Sequence, residues 1–136
     1  LFRSDLMRRN PDLERAILLA VEAFDPDKDP EIDLTGFSGH SDRQVSYQVS
    51  LLAEAGLLKA CELPDTEDGD RIWCVPQRLT MAGHEYLDAV RDDEVWRRTK
   101  DGARAVGSFS LEVLGALARG MIRDKLRQYL GIELDL

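Results

Sequence analysis

The segment from Ser41 to Val75 constrains the fold more than any other part of this sequence. Ser41 with Gln44 three residues later fits a capping box, in which two side chains satisfy the first free backbone groups of a helix. Apolar residues then recur at helical spacing and a glycine suited to a helix C-terminus follows them: Val45, Val49, Leu52, Ala55 and Gly56. This pattern predicts a helix over residues 42–55.

Two β-patterned segments follow that helix. They span residues 57–63 and 71–75 and are joined by a polar turn that contains Gly69, which predicts a β-hairpin. Upstream, Asn10 and Pro11 suit the N-cap and first position of a helix over about 11–24. Between the two helices, residues 31–34 alternate polar with apolar side chains and predict a short strand.

Three further helices are predicted after the hairpin. Thr80 suits the cap of a helix over about 81–91, Val95 and Trp96 open a shorter helix that runs to about residue 104, and a long amphipathic helix runs from Leu111 to Gly131. We therefore predict a mainly α fold with a small β-hairpin (α+β), a winged helix-turn-helix with appended C-terminal helices. The chain is expected to be a single domain over residues 1–136, with a winged-helix core at about 10–92 and a helical extension at about 93–131.

The string from Arg78 to Trp96, placed after this hairpin, resembles a bacterial and prophage family, the domain-of-unknown-function family numbered twenty-five thirteen. The resemblance runs from about Asn10 to Ile132 and includes Val45-Ser-Tyr47 and Leu52-Ala-Glu-Ala-Gly-Leu57. It implies a small winged-helix protein that is frequent in mobile elements, with no catalytic motif and no established activity to transfer.

The outward face of the 42–55 helix is the candidate DNA-binding site. In a winged helix this face enters the major groove, where arginine and glutamine can contact the edges of guanine and adenine. The expected DNA-binding residues are Arg43, Gln44, Ser46, Tyr47 and Ser50 of the helix and Arg71 of the hairpin. The ordinary alternative is a solvated helix face, because only one of these five helix residues is basic.

Charge supports a second hypothesis. Residues 1–96 carry 10 basic and 21 acidic side chains, a balance of −11, whereas residues 97–127 have a balance of +5. An acidic surface is repelled by phosphate at long range. The first hypothesis, which rests on the helix face described above, is that the protein is a transcriptional regulator that binds double-stranded DNA in a phage or mobile-element setting. The alternative is a winged-helix protein-interaction module whose acidic surface docks on a basic partner or mimics DNA, without binding nucleic acid.

The terminal helix is the candidate dimer interface. Its apolar stripe must be covered, either by its own domain or by the same helix of a second chain. We expect a homodimer that forms through Leu111, Leu114, Leu117, Met121, Ile122 and Leu126.

Metal sites, cofactors and catalysis are not expected. The acidic residues at 25, 27, 29, 31 and 33 imitate a calcium loop, but its sixth position is Pro30 and its twelfth is Gly36, where glycine and glutamate are needed. Cys61, Cys74 and His84 lack a fourth zinc ligand. No nucleophile elbow or phosphate-binding glycine loop is present, so an enzyme is not expected.

The expected location is the cytoplasm. Two cysteines cannot build a disulfide framework, and no apolar run approaches the roughly 18 residues of a membrane span. The first residues, Leu1 to Asp5, lack the apolar centre and cleavage site of a signal peptide.

Overall fold

The computed structural model describes residues 6–131, except for the side chain of Ser38. Residues 1–5, considered above for a signal peptide, and Ile132, the end of the family resemblance, lie outside the described residues. The described chain contains five α-helices and one two-stranded antiparallel sheet, which confirms the predicted α+β class. In chain order the elements are α1 (Pro11–Ala23), a 3₁₀ turn (Phe37–Gly39), α2 (Asp42–Glu54), β1 (Leu58–Pro64), β2 (Ile72–Leu79), α3 (Met81–Val90), α4 (Asp93–Val106) and α5 (Leu111–Leu130).

The helices begin at the predicted caps. Asn10 accepts a hydrogen bond from the Leu13 backbone N–H, and both bonds of the Ser41–Gln44 capping box form. The Thr80 hydroxyl accepts from the Gly83 N–H at 3.0 Å. Each of these bonds satisfies a backbone donor that the first turn of a helix leaves unpaired. The sequence signals therefore locate these helix starts correctly.

Strand β2 is longer than predicted. We expected it to end at Val75, before a proline, yet the strand runs through Pro76 to Leu79. Ala60 pairs with Pro76 and Lys59 pairs with Arg78, so Gln77 is an extra residue at a β-bulge. A bulge interrupts the ladder, and a strand tolerates proline at such an irregularity.

The predicted strand at residues 31–34 is wrong, because the structure has no strand there. Local hydrogen bonds turn the backbone instead. The Asp33 carboxylate accepts from the Thr35 N–H at 2.9 Å, and the Phe37 N–H donates to the Leu34 carbonyl at 3.1 Å. Asp side chains commonly capture nearby backbone donors in this way, at the expense of sheet pairing.

The described residues form two compact units, and the boundary between them lies after His84, within α3. In the first unit, one apolar face of α1 and one of α2 are buried together with the residues that flank the hairpin. Its buried apolar side chains are Leu13, Ile17, Leu18, Val21, Ile32, Val45, Val49, Leu52, Leu57, Leu58 and Leu79. The predicted DNA-binding residues lie outside this core, on α2 and on the hairpin.

The second unit contains the packed pair α4 and α5. Gly102 of α4 lies directly against the Leu117 side chain of α5. The buried side chains of this unit include Trp96, Thr99, Ala103, Leu114 and Ala118. The single-domain organisation with a core at about 10–92 stays a prediction. Among the described residues, no helix is both long enough and apolar enough to cross a membrane.

Candidate nucleic-acid interface

The outward face of α2 carries four of the predicted residues. Arg43, Ser46, Tyr47 and Ser50 are spaced by three, four and seven residues, so they share one face of the helix. The opposite face is buried through Val45, Val49 and Leu52. Burial of one face leaves Arg43 exposed, while the other three side chains of the outward face are half-buried.

The structure brings Arg43 of α2 and Arg71 of the hairpin to one surface cleft of about 320 Å³. Ser46 lines the same cleft, whereas Gln44, Tyr47 and Ser50 do not. Two guanidinium groups at one concave surface can hold an anion such as a phosphate, because each presents several N–H donors in a planar fork. Three of the six predicted residues are thus assembled at one place.

Three of the predicted residues already make hydrogen bonds within the chain. The Gln44 side-chain oxygen accepts from the Ser41 N–H at 3.2 Å, as part of the capping box. The Ser46 hydroxyl accepts from the Cys74 N–H of β2 at 2.9 Å. The Ser50 hydroxyl donates to the Tyr47 carbonyl at 2.6 Å. These bonds give Gln44, Ser46 and Ser50 structural roles, so Arg43 and Tyr47 are the stronger candidates for contact with a base.

An ordered turn between β1 and β2 positions Arg71. The Asp65 carboxylate accepts from the Glu67 N–H at 2.8 Å, from the Asp68 N–H at 3.3 Å and from the Trp73 indole N–H at 2.9 Å. These hydrogen bonds hold the pKa of Asp65 below its usual value, because they stabilise the ionised form. The Arg71 guanidinium lies over the Trp73 ring, 5.7 Å from its centre, within the range of a cation–π interaction.

Carboxylates share the cleft with the two arginines. Asp68 and Asp70 line it together with Ile72 and Trp73. Sequence reasoning did not place these four side chains beside Arg43, because their position depends on how the hairpin lies on α2. The one available signal was the position of Arg71 and Trp73 on alternate residues of the predicted strand over residues 71–75.

The cysteines do not form a metal site with each other. Cys61 is paired with Val75 and Cys74 with Glu62, so the two thiols lie on opposite faces of the hairpin. Burial raises the pKa of the Cys74 thiol, with smaller contributions from Glu62 and Cys61, and this favours the protonated form over the thiolate that binds metal. Within residues 6–131 no three His, Cys, Asp or Glu side chains are grouped as metal ligands would be.

The predicted dimerisation residues divide along α5. Leu114 is fully buried, and Leu117 packs on Gly102 of α4. Leu117 is half-buried, as are the other four predicted residues, Leu111, Met121, Ile122 and Leu126. Near the end of the helix Tyr129 is 86% exposed. The buried residues of α5, Leu114, Gly115 and Ala118, therefore all lie in its first half, whereas Tyr129 and Leu130 at its end are exposed.

Comparison with known proteins places this fold in a family. The family model described as "Hypothetical protein (DUF2513)" matches residues 8–110, which include α1 to α4. An uncharacterized protein of Haemophilus influenzae is 32% identical to this chain over 121 residues, which cover 88% of this chain and 99% of the relative. No solved structure matches the chain significantly. On the extent of the family match, the chain belongs to the DUF2513 family.

Proposed function

We propose that this protein is a winged-helix DNA-binding protein that regulates transcription, in the phage or mobile-element setting that the sequence resemblance implies. The observation that carries the proposal is the position of Arg43 and Arg71 at one cleft, next to the outward face of α2. The element order supports the winged-helix type: α1, a 3₁₀ turn where the usual second helix is reduced, α2 and then the hairpin.

In this proposal α2 enters the major groove. Arg43 makes a bidentate contact with a guanine, and Tyr47, one turn further along the same face, contacts an adjacent base or sugar. Arg71, held over Trp73, contacts a backbone phosphate beside the groove. Asp68 and Asp70 oppose non-specific binding, since they repel any phosphate that the two arginines do not pair. The expected binding is therefore specific, with few ionic contacts.

The proposed regulator binds as a homodimer that forms through the second half of α5. A two-fold dimer presents two α2 helices to a pseudo-palindromic site, which is how helix-turn-helix proteins usually gain affinity. The half-buried residues Met121, Ile122 and Leu126 support this proposal, since a second copy would complete their burial.

Fluorescence anisotropy with a labelled duplex from upstream of the gene itself tests the proposal, with a scrambled duplex as the reference. We expect tighter binding to the native duplex and a shallow salt dependence, with a slope of log affinity on log salt of about −1 per subunit for the one phosphate contact of Arg71. Arg43→Ala should weaken specific binding by at least about tenfold.

The matched control is Arg104→Ala, which removes the same charge from an exposed position on α4. It should leave binding within about twofold of the wild type, since Arg104 lies outside the proposed surface. Equal affinity for the native and scrambled duplexes, or equal losses in the two variants, would overturn the proposal. Circular dichroism of each variant confirms that the fold is retained.

A second candidate is an acidic protein-interaction module. The ordered turn at residues 65–70 favours it, because the Asp65 hydrogen bonds hold several carboxylates in a fixed arrangement that a basic partner can match. Crosslinking in the native host should then recover one partner with the wild type and much less of it with the double variant Asp68→Asn and Asp70→Asn. Equal recovery would exclude this candidate.

A further inference from the structure

A second surface cleft, of about 470 Å³, lies in the first unit between residues 31–35, α2 and the hairpin. Ser46 and Trp73 line this cleft as well as the one that contains the two arginines. The volume falls in the range of small-molecule sites, which is about 300–1,000 Å³. We call it the 31–35 cleft.

Its lining combines an apolar wall with carboxylates. Apolar side chains come from all three sides and include Ile32, Leu34, Val45, Trp73 and Pro76. Four acidic residues, Glu31, Asp33, Asp42 and Asp65, complete the lining together with small and polar residues, and no Lys, Arg or His among residues 6–131 contributes to it. A ligand that fits this lining carries both an apolar body and a positive charge.

The backbone hydrogen bonds of the carboxylates hold them in place. Asp33 accepts from the Thr35 N–H and Asp42 accepts from the Gly36 N–H, each at 2.9 Å. Hydrogen bonds from the side chain and backbone of Thr35 lower the pKa of Asp33, so this carboxylate is ionised at neutral pH. A carboxylate has two oxygens with about four lone pairs between them. Asp33 and Asp42 therefore retain lone pairs for a ligand cation.

The edge of β2 that faces α2 cannot pair with an extended peptide. The Cys74 N–H points to this edge and is already bound to the Ser46 hydroxyl. Pro76, two residues further and therefore on the same edge, has no N–H. Peptide binding by strand addition requires these donors. A compact ligand held through its charge and its apolar body does not require backbone N–H donors.

From this geometry we infer that the 31–35 cleft binds a small organic cation, an amine or guanidine on an aromatic or aliphatic body. The apolar body packs between Leu34, Val45 and Trp73, and the cation lies among Glu31, Asp33 and Asp42. This site does not depend on the DNA-binding function, because its lining excludes both Arg43 and Arg71.

Nuclear magnetic resonance tests the inference directly. The chain has two tryptophans, of which Trp73 lines the cleft and Trp96 is buried in the second unit. The indole N–H signal of Trp73 therefore reports ligand binding, and the signal of Trp96 serves as the reference. The probes are 4-phenylbutylamine, the matched neutral alcohol 4-phenylbutan-1-ol, and spermidine, which has charge without an aromatic body. We expect only the amine with the aromatic body to shift the Trp73 signal saturably, and the Trp96 signal to stay in place.

Charge-removing variants locate the site. In the double variant Glu31→Gln and Asp33→Asn, the amide oxygen that replaces the Asp33 carboxylate can still accept from the Thr35 N–H, and the loss of both charges should weaken phenylbutylamine binding by roughly tenfold. Glu67→Gln removes a carboxylate of the hairpin turn that does not line the cleft, and it should bind the amine within about twofold of the wild type.

Several outcomes overturn the inference. These are the absence of any shift, equal shifts with the amine and the neutral alcohol, equal binding of spermidine, and equal affinities in the two charge variants. Binding of the peptide acetyl-Lys-Phe-Lys-amide without binding of phenylbutylamine would also overturn it, in favour of a protein segment as the occupant.

Discussion

Two buried polar side chains tie the segment before α1 to the first unit. Gln48 lies among the buried residues of α2, where its amide donates to the Arg8 carbonyl at 2.7 Å and accepts from the Asn10 N–H at 3.1 Å. Glu14, only 2% exposed, pairs with Arg9 at 2.8 and 3.1 Å. A buried polar group is tolerated when it is hydrogen-bonded in this way. Neither pairing is visible in the sequence, where Gln48 only interrupts an apolar stripe.

Thr99 is the opposite case and leads to a prediction about stability. Its side chain is fully buried in the second unit, and its hydroxyl has no hydrogen-bond partner among the described residues. Thr99→Val replaces the hydroxyl with a methyl group of similar size, so it should raise the free energy of unfolding by about 1 kcal/mol. Denaturant unfolding followed by circular dichroism measures this change.

Thr99→Ser is the matched comparison, because it keeps the hydroxyl and removes the methyl group. It should lower the free energy of unfolding by about 1 kcal/mol, since it leaves a small cavity. If the valine variant is less stable than the wild type, the hydroxyl has a partner in solution, such as a buried water.

The carboxylate of Asp65 predicts a pH dependence in the hairpin turn. Hydrogen bonds from Glu67, from the Trp73 indole and from Asp68 lower its pKa below the usual value of 3.8. The bonds therefore contribute fully above that pH, and they are lost as the pH falls through the lowered pKa. The Trp73 indole N–H signal should titrate with a midpoint below 3.8, while the Trp96 signal serves as the reference.

Asp65→Asn provides the control for this titration, because the amide does not ionise in that range. The acidic transition of the Trp73 signal should disappear in the variant. A wild-type midpoint at or above 3.8 would contradict the proposed hydrogen bonds.

At the scale of elements, the first turn of α3 lies very close to the start of β1. A Cβ atom at Gly83 would overlap the Leu57 carbonyl oxygen, which also accepts from the Thr80 N–H at 3.0 Å. Because the obstacle is backbone, it cannot move aside cheaply. Gly83→Ala should lower the free energy of unfolding by at least about 3 kcal/mol, as measured by denaturant titration.

Gly120→Ala is the matched substitution in α5. A Cβ atom there meets no atom of the described part of the chain within 4 Å, so the only large effect is the better helix propensity of alanine. We expect the variant to gain about 0.5–1 kcal/mol of stability. Similar effects of the two substitutions would show that the contact between α3 and Leu57 is looser than described.

Sequence reasoning located elements whose signals are local. The side chains of Asn10, Ser41 and Thr80 each accept a hydrogen bond from the backbone N–H three residues later. The local sequence pattern alone therefore determines where these helices begin. The strand at residues 31–34 failed because its formation depends on a partner. The neighbouring edge of β2 has one donor bound to Ser46 and lacks another at Pro76, so it offers no regular ladder to a third strand.

The candidate site was also predictable only in the part that depends on local spacing. Helical spacing alone puts Arg43 and Tyr47 on the outward face of α2, opposite Val45 and Val49. The meeting of Arg43 with Arg71 across 28 residues of sequence depends on the packing of the hairpin, as does the 31–35 cleft. No spacing rule anticipates such contacts.

At the scale of the whole molecule, charge separates along the chain. The strongly acidic first 96 residues are followed by a basic stretch over residues 97–127, which includes most of α5. In α5 the basic residues Arg119, Arg123, Lys125 and Arg127 outnumber the acidic residues Glu112 and Asp124. A helix with modest positive charge and a half-buried apolar stripe suits pairing with a copy of itself better than a strongly charged helix would, since self-repulsion is small.

The last prediction concerns this pairing. Sedimentation equilibrium over a range of concentrations should give a mass of twice the 15.3 kDa of one chain. Leu126→Asp places a charge in the proposed interface and should raise the dimer dissociation constant by roughly 100-fold, because a carboxylate without a partner is costly to bury. Gln128→Asp adds the same charge at an exposed position of the same helix and should leave the dimer intact. A monomeric wild type, or equal dissociation of the two variants, would show instead that α5 is covered within its own chain.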